Sequence, residues 1–504
     1  MIRSLLLVAA LAMPCLLAAQ PNILLVIADD LGLDPVPGYL SGPQKAVMPT
    51  LDSLRNVGLT FDQTWATPLC SPTRAAIITG RTGPATGVLG VDTLSTLDQA
   101  ETTLFEHLTA QGTGHTMALI GKWHLGGGQP ALDDPAQQGV PYFSGILGGG
   151  VINYASWPQV TNGMQVTNTD YITEVLTDSA IAWTGRQTQP WICWLAYNAP
   201  HSPYHLPPLH LHTQDALPDN AAAIAANPLP YYLAMAESMD SELGRLLASL
   251  PPTVRANTTV VLIGDNGTPG EVIQSPYIPL RAKGTLFQGG VHVPLVIAGA
   301  GVSRAGEREP ALVSVTDLFA TLVELTGAPS PGVSSSLSLV PLLTQAGLPH
   351  RDCVRTDVFN SQAQAAGSAV RDVQYKRIDP GNGNARFHDL VNDPYEVSNL
   401  LIGGLTPAEQ EVYNALANGC TSTTALSEAS PRTAIGIHPN PGTGLFLVTG
   451  VEQAGNAALL DLVGHVVRHV RLERGSTSLD LGQLHPGTYV LHGQGVHLRL
   501  VLQQ

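Results

Sequence analysis

Cysteine is scarce in this sequence, and positive charge is scarcer than negative charge. Five cysteines in 504 residues are too few for the disulfide framework of a small secreted scaffold. The 24 basic and 39 acidic residues leave a net charge of −15, which argues against nucleic-acid binding and against attraction to an anionic membrane. Because the overall field would not attract an anionic substrate, a site for one needs a local cluster of basic side chains.

Long apolar runs are absent beyond the first residues of the chain. The sequence begins with Met1-Ile2-Arg3, an apolar run over residues 5–17 and the small residues Ala18-Ala19. This pattern is typical of a secretory signal peptide and is too short to span a membrane. We predict a signal peptide at residues 1–19, so Cys15 is lost when it is cleaved. The mature protein is expected to be exported without stable membrane insertion.

Length and hydrophobic periodicity predict a large α/β domain followed by smaller ones. A chain of 504 residues, 44% of them hydrophobic, exceeds what one core usually fills. Over residues 20–335 short apolar runs alternate with helical patterns, which favours a doubly wound, mostly parallel sheet. The predicted strands are 23–28, 117–120, 191–197, 260–263 and 294–298. The predicted helices are 50–57, 104–110, 172–184, 231–250 and 315–326.

Polar side chains follow four of these predicted strands where each strand ends. Because the carboxyl ends of parallel strands lie at one edge of a sheet, where ligands bind, these side chains are expected to form a single site. In chain order they are Asp29 and Asp30, Lys122 and His124, His201, and Asp265 and Asn266.

A further candidate is the segment that starts at Cys70. Pro72 suits the first turn of a helix, and Gly80 ends the apolar run that follows Arg74. This places a thiol and a guanidinium beside a helix N-terminus, where the backbone N–H groups and the dipole favour an anion. An isolated cysteine at such a position is usually an inert core residue, so its neighbours must decide its role.

The neighbours resemble those of the sulfatase family. Cys70-Ser71-Pro72-Thr73-Arg74, followed by Thr79-Gly80-Arg81, is similar to the motif in which the cysteine is oxidised to formylglycine. The hydrate of that aldehyde is the family's nucleophile. The resemblance covers residues 21–400, with every catalytic motif in order, and it implies an alkaline-phosphatase-like fold.

The resemblance also implies a metal site. The segments 21–32 and 264–267 are similar to the family's metal-binding segments. They imply that Asp29, Asp30, Asp265 and Asn266, with the formylglycine oxygen at Cys70, hold Ca²⁺, with Mg²⁺ the less favoured ion. Oxygen ligands of this type suit both hard cations.

The motif Gly121-Lys122-Trp123-His124 resembles the family's next catalytic segment. It implies that Lys122 binds the sulfate oxygens and the hydrated aldehyde, and that Arg74 holds the formylglycine. One hydroxyl of the diol attacks sulfur and releases the alcohol. His124 then deprotonates the other hydroxyl, so that sulfate is eliminated and the aldehyde returns.

Two further residues match family positions on the leaving-group side. His201, in 198–203, is implied to act on the sulfate and the leaving oxygen, and Lys283 matches the leaving-group lysine. Asp265 would accept the first proton of the nucleophile in addition to binding metal. The family commonly has glutamate where this chain has Gln288.

The remaining cysteines give little further information. If Cys70 is converted, Cys193, Cys353 and Cys420 remain, and this odd number permits at most one internal bridge. A pairing of Cys353 with Cys420 is one possibility that the sequence leaves open.

The last third of the chain predicts three further segments. Residues 336–418 resemble the small C-terminal α+β subdomain of sulfatases, with an antiparallel sheet, and 419–433 have the composition of a linker. Residues 434–504 show short alternating strands that predict a β-sandwich. The sequence Pro439-Asn440-Pro441-Gly442 and the segments 460–464 and 484–490 resemble the sorting domain of the type IX secretion system. An accessory carbohydrate-binding sandwich is the alternative.

The sequence thus predicts a secreted or cell-surface sulfatase that acts on a sulfated carbohydrate or an aryl sulfate. Its expected partners are a formylglycine-generating enzyme and the type IX secretion machinery. One alternative is a phosphonate or phosphodiester hydrolase of the same superfamily. The other is a non-catalytic protein that binds sulfated glycans, if Cys70 is not converted. The substrate-specificity loops are predicted at 126–168 and 206–230, and their residues give no further indication of the substrate.

Overall fold

A ten-stranded sheet is the central feature of the fold. The computed structural model describes residues 20–214, 216–359, 366–419, 436–438, 443–451, 454–461, 466–493 and 496–502. The predicted signal peptide, most of the predicted linker and Cys420 lie outside these residues. The chain divides into two units, Met1–Thr424 and Ala425–Gln504, which are described separately. No helix among the described residues is long and apolar enough to cross a membrane.

The strands of the large sheet follow the order β10-β2-β9-β8-β1-β7-β3-β4-β5-β6. The five consecutive strands from β8 to β4 are parallel, whereas β9 runs antiparallel to both of its neighbours. The prediction of a mostly parallel α/β sheet is confirmed. The strands are β1 Asn22–Ala28, β2 Gly58–Trp65, β3 Thr116–Lys122, β4 Phe143–Ile146, β5 Trp157–Thr161, β6 Met164–Asn168, β7 Trp191–Ala196, β8 Thr258–Gly264, β9 Leu295–Gly299 and β10 Glu307–Ser314.

Helices cover both faces of this sheet. Alternate residues of β1 belong to two separate cores: Leu24 and Val26 pack with α1, α6 and α8, and Ile23 and Leu25 pack with α2, α4 and α11. A strand buried on both faces needs a continuous apolar run, which β1 has. The helices are α1 Pro49–Val57, α2 Cys70–Thr79, α3 Gly83–Thr86, α4 Leu104–Gln111, α5 Asp134–Gln137, α6 Ile172–Thr184, α7 Ala221–Ala226, α8 Leu229–Ser249, α9 Pro252–Ala256, α10 Gln288–Val291, α11 Asp317–Leu325 and α12 Val340–Thr344.

Close packing between the central strands fixes the edge where polar residues collect. Gly121 in β3 has a φ of +111°, and a Cβ there would lie 1.9 Å from the carbonyl oxygen of Ala196 in β7. Glycine is therefore required one residue before Lys122. Because β1, β3, β7 and β8 run parallel, their carboxyl ends meet at one edge of the sheet.

A small antiparallel sheet packs against the large one. Its core joins Val354, Ala369 and Ile378 to Trp65 at the end of β2 and to Leu286. Its four strands lie in sequence order, and the prediction of a small α+β part is confirmed. The elements are β11 Val354–Phe359, β12 Ala366–Arg371, β13 Tyr375–Asp379, β14 Arg386–Asp389, α13 Leu400–Gly403 and α14 Pro407–Ala417.

A buried ion pair ties this small sheet to its closing loop. Lys376 Nζ lies 2.7 Å from Glu396 Oε1, both side chains are fully buried, and the ammonium lies 4.7 Å from the Trp65 ring centre. Burial lowers the pKa of Lys376 to about 8 although Glu396 acts to raise it. Charges removed from water in this way stabilise the fold only as a pair.

Removing one member of this pair is expected to destabilise the protein more than removing both. Lys376→Met leaves the Glu396 carboxylate buried without its counter-charge and should lower the free energy of unfolding by about 3–5 kcal/mol. Lys376→Met combined with Glu396→Gln should cost less than that single change. A double-mutant cycle in denaturant unfolding measures this, and additive losses would contradict it.

The C-terminal unit contains two antiparallel sheets that share one core. The sheets have the orders β15-β16-β19 and β18-β17-β20-β21, and Phe446 and Val448 of the first pack with Leu459 and Leu491 of the second. This arrangement is the predicted β-sandwich. The strands are β15 Gly436–His438, β16 Leu445–Val451, β17 Gly455–Leu460, β18 Val466–Leu472, β19 Gly475–Asp480, β20 Gly487–Gly493 and β21 Val496–Leu502.

Candidate active site

Cys70 is the first residue of α2 and lies beside His124, which follows β3. Its side chain is buried, and its Sγ is 3.4 Å from Nδ1 of His124. Gly80 ends the helix with a φ of +70°, as its position in the sequence predicts. Burial raises the pKa of the Cys70 thiol, so the cysteine is mainly protonated at neutral pH.

Arg74, one turn along α2, connects the helix to two strand ends. Its guanidinium donates to the carbonyl oxygen of Lys122 at 2.9 Å and to Oδ2 of Asp265 at 2.8 Å. Burial acts to lower the pKa of Arg74, but the charges of Asp265 and Asp29 raise it overall. This buried guanidinium therefore fixes Cys70 relative to the ends of β3 and β8.

Three carboxylates and an amide converge after β1 and β8. Oδ1 of Asp265 accepts the Asp30 backbone N–H at 3.0 Å, and Asn266 donates to Oδ1 of Asp30 at 2.8 Å. The pKa of Asp265 is raised to about 6, mainly by burial and also by the negative charge of Asp29. Three buried carboxylates this close together therefore need additional positive charge.

These residues fit a hard divalent cation. Ligand atoms of Asp29, Cys70 and Asp265 lie within 4.8 Å of one another. Oδ1 of Asp29 and Oδ1 of Asn266 are buried and have no hydrogen-bond partner. Because buried polar atoms in native proteins are normally satisfied, the two free oxygens are consistent with ligands for an ion.

Two lysines supply positive charge to the same group. Nζ of Lys122 donates to Oδ2 of Asp29 at 2.6 Å, and both side chains are fully buried. Burial alone would raise the pKa of Asp29, but the charges of Lys122 and His201 hold it below its usual range. Nζ of Lys283 lies 2.5 Å from Oδ1 of Asp30, and although burial opposes it, the charge of Asp30 raises the pKa of Lys283.

Two histidines complete the group from different sides. The pKa of His124 is lowered well below its ordinary value, mainly by burial and also by the positive charge of Lys122. Its imidazole is therefore neutral at pH 7. His201 is more exposed, and its Nε2 lies 3.7 Å from Oδ2 of Asp30. His124 can therefore accept a proton near Cys70, whereas His201 faces the open side of the site.

The structure brings every residue predicted for the site into one group, although their individual roles stay predictions. Gln288, which departs from the family's glutamate, contacts none of these residues through a side-chain hydrogen bond on the described part of the chain; its Oε1 accepts the Trp65 indole N–H at 2.9 Å. The assembled residues are Asp29, Asp30, Cys70, Arg74, Lys122, His124, His201, Asp265, Asn266 and Lys283.

Sequence reasoning missed several residues that position this group. The Tyr232 hydroxyl donates to the carbonyl oxygen of Asp30 at 2.8 Å, and the Tyr154 hydroxyl donates to that of His201 at 2.6 Å. The backbone at Gly149 lies against the His124 ring. A run of three glycines at 148–150 is a signal of close backbone approach, but the sequence does not tell which side chain it approaches.

Adding a methyl group at Gly149 is expected to displace His124. A Cβ there would lie 2.5 Å from Cε1 and 2.6 Å from Nε2 of that ring, whereas a Cβ at Gly148 meets nothing within 4 Å. Gly149→Ala should therefore lower kcat/KM by about 10–100-fold, as expected for a misplaced catalytic group. Gly148→Ala is the matched control, and equal effects of the two changes on turnover would contradict this account.

Comparison with known proteins agrees with the family resemblance. A family model described as Sulfatase matches residues 21–328. Arylsulfatase A of Homo sapiens is 28% identical over 479 residues, which cover 82% of this chain and 89% of the human protein. Residues 21–328, which the family model matches, contain all ten residues of the site.

Solved structures share the fold. A crystal structure in complex with k-i-k-neocarrahexaose superposes with a TM-score of 0.65 at 24% identity, covering 79% of this chain and 91% of that one. A second structure, in complex with its substrate D-glucosamine-2-N,6-O-disulfate, gives a TM-score of 0.66 at 20% identity, covering 79% and 97%. These likenesses extend the agreement in fold beyond the segment that the family model matches.

Proposed function

The chain belongs to the sulfatase family and is a sulfuric ester hydrolase, and we propose that it uses a formylglycine made from Cys70 to hydrolyse sulfate monoesters of carbohydrates. The observation that carries the proposal is the buried Cys70, 3.4 Å from His124 and surrounded by paired cations and carboxylates. When present, a hydrated aldehyde at this position supplies two hydroxyl groups on one carbon.

The cations of the site are suited to bind the sulfate group. Arg74, Lys122 and Lys283 each contact a carboxylate of the group that surrounds Cys70, and Arg74 and Lys122 are fully buried. Positive charge that is fixed in place and shielded from water stabilises the charge that develops on sulfate oxygens in the transition state. This local cluster offers an anion the attraction that the overall net charge of −15 does not.

The two histidines and Lys283 divide the proton transfers. His124 is neutral and adjacent to position 70, so its imidazole can take the proton of a hydroxyl there and promote release of sulfate. His201 and Lys283 both face Asp30 on the more exposed side. We assign them to the leaving oxygen, which must gain a proton as the alcohol departs.

Asp29, Asp30, Asp265 and Asn266 would hold the divalent cation, with Ca²⁺ preferred over Mg²⁺. When bound, such an ion draws electron density from the sulfate oxygens and lowers the pKa of a hydroxyl at position 70. Asp265 accepts two hydrogen bonds, from the Asp30 amide and from Arg74, which hold its carboxylate in place beside that hydroxyl.

Carbohydrate is proposed as the natural substrate class. Two proteins of the same fold were solved with k-i-k-neocarrahexaose and with D-glucosamine-2-N,6-O-disulfate. An exported enzyme meets such glycans outside the cell, and we infer export from the signal-peptide pattern of residues 1–19. The motifs of residues 434–504 support a type IX sorting signal, which would direct the enzyme to the medium or the cell surface. Loss of secretion on deleting 434–504 would test this, whereas retained secretion with weaker glycan binding would favour the carbohydrate-binding alternative.

The proposed reaction is tested by comparing esters that share one leaving group. We expect kcat/KM for an aryl sulfate to exceed that for the matching aryl phosphate and aryl phosphonate by about 10²-fold or more, because the phosphate carries a second negative charge and the phosphonate has a carbon substituent in place of one oxygen. A chelator should abolish turnover, and Ca²⁺ should restore more activity than Mg²⁺. Faster turnover of the phosphonate or phosphate would favour the phosphoryl-transfer alternative. Binding of sulfated glycan without turnover would favour the non-catalytic one.

A further inference from the structure

A cleft of about 870 Å³ opens beside the turn that carries His201. We call it the Tyr154 cleft, and its side chains include Ile152, Asn153, Tyr154, His205, Leu209 and Asp219. Its volume lies in the range of ligand-binding pockets.

Tyr154 connects this cleft to the catalytic group. Its hydroxyl donates to the carbonyl oxygens of Asn198 and His201 at 2.8 and 2.6 Å. The other face of the same residue lies against His205, with 4.3 Å between the ring centres. One side chain therefore separates the cleft from the backbone that positions His201, the residue assigned to the leaving oxygen.

The charge of the cleft differs from that of the sulfate-binding group. Among the described residues that line it there is no lysine or arginine, and Asp219 is the one carboxylate. Both ring nitrogens of His205 have partners, the carbonyl oxygen of Pro203 at 2.9 Å and the Tyr171 hydroxyl at 3.1 Å. Because a carbonyl only accepts, Nδ1 carries a proton. Burial lowers the pKa of His205, so its imidazole is mainly neutral at pH 7 and adds no positive charge to the cleft.

Exposed apolar side chains form part of the wall. Ile152 is 98% exposed and Leu209 is 66% exposed. Contact between large apolar side chains and water is unfavourable. Together with the prolines of 203–208 they present an apolar surface to a ligand, while Asn153 can donate or accept hydrogen bonds there and the Asp219 carboxylate can accept them. Apolar walls with a few polar groups are typical of a site for an uncharged organic group.

We propose that the Tyr154 cleft binds the alcohol portion of the sulfate ester and selects an alcohol portion that carries no second anionic group. For a glycan, the esterified sugar would carry no second sulfate and no carboxylate, and the sugar next to it would carry neither. This inference rests on the proposed function, since it assigns the leaving oxygen to the His201 side. The cations bind the sulfate group, and Asp219 repels a further negative charge in the cleft.

Two umbelliferyl sulfates that differ only in a side chain remote from the sulfate provide the test. One carries a methyl ester, the other a free carboxylate, and the measured quantity is the ratio of their kcat/KM values. Replacing Asp219 by Asn should shift this ratio toward the carboxylate by about tenfold, and Asp219→Lys by about 100-fold, from the change in charge interaction. Glu411→Lys is the matched control, because Glu411 is an exposed carboxylate on α14, and it should leave the ratio unchanged.

The outcomes separate this inference from the function on which it rests. The predicted shifts at position 219, with no shift for Glu411→Lys, support the cleft. If both sulfates are turned over and Asp219→Lys changes the ratio by less than about twofold, the cleft assignment is wrong, because a charge change at contact distance predicts a larger shift. The sulfatase activity would then still stand. Failure of the fully converted wild-type enzyme to turn over either sulfate overturns the proposed function, and the inference with it.

Discussion

Replacing Cys70 by serine is expected to lower steady-state turnover of an aryl sulfate by at least about 10³-fold, a loss typical of removing a nucleophile. Serine has one hydroxyl group, so it can attack sulfur, but no second hydroxyl remains for His124 to deprotonate. The sulfated serine should therefore persist. Intact mass spectrometry after incubation with substrate should show one added sulfate group per chain.

Cys193→Ala is the control for this experiment. Cys193 is the other free cysteine among the described residues, and it is buried in β7. Burial raises the pKa of its thiol. Turnover by Cys193→Ala should stay close to that of the wild type, while Cys70→Ala should be inactive without gaining mass. Sustained multiple turnover by Cys70→Ser would rule out the two-hydroxyl mechanism.

The second large effect is expected at Asp29, where Asp29→Asn should lower both stability and activity. Lys122 is fully buried and would lose the carboxylate that lies 2.6 Å from its ammonium. An uncompensated buried charge costs about 3–5 kcal/mol in the free energy of unfolding. The pKa of Asp29 is held below its usual range, so its ionised form contributes to stability, and that contribution is lost as pH falls. Turnover should fall by about 10²-fold or more, because the proposed cation loses a ligand.

The double variant Asp29→Asn with Lys122→Met separates the two effects. Removing both charges leaves neither Asp29 nor Lys122 as a buried ion without its partner, so the unfolding free energy should recover toward the wild-type value. Turnover should not recover, because the cation ligand and the sulfate-binding lysine are both absent. Unfolding in denaturant and calorimetric titration with Ca²⁺ measure the two properties. If Asp29→Asn alone keeps wild-type stability and Ca²⁺ affinity, the assigned roles of Asp29 are wrong.

Much of the site could be predicted because it rests on local signals. The apolar run of β1 is bounded by Asp29 and Asp30, and the helix of Cys70 begins at a proline-containing turn and ends at a glycine. In a parallel sheet the position of a residue after its strand already determines the edge at which it lies. Spacing in the sequence was therefore sufficient to group side chains that are more than 200 residues apart, such as Asp30 and Asp265.

The parts that sequence reasoning missed depend on contacts between distant segments. The antiparallel direction of β9 follows from its pairing with β2 and β8, and its apolar residues are compatible with either direction. Tyr154 and Gly149 lie in a region of irregular structure between β4 and β5, where no hydrophobic period indicates which side chain they approach. The Lys376–Glu396 pair joins β13 to a loop 20 residues later, and the sequence alone shows only two ordinary surface residue types.

The most direct test of the account is the mass of the proteolytic peptide that contains Cys70, measured beside aryl-sulfate turnover. The protein is made in a native-like host and in one that lacks the formylglycine-generating enzyme. We predict that in the first host the peptide mass falls by the difference between a CH₂SH and a CHO group, that a hydrazide probe labels it, and that turnover rises in proportion to the converted fraction. Turnover by a preparation in which Cys70 is entirely thiol would contradict the account.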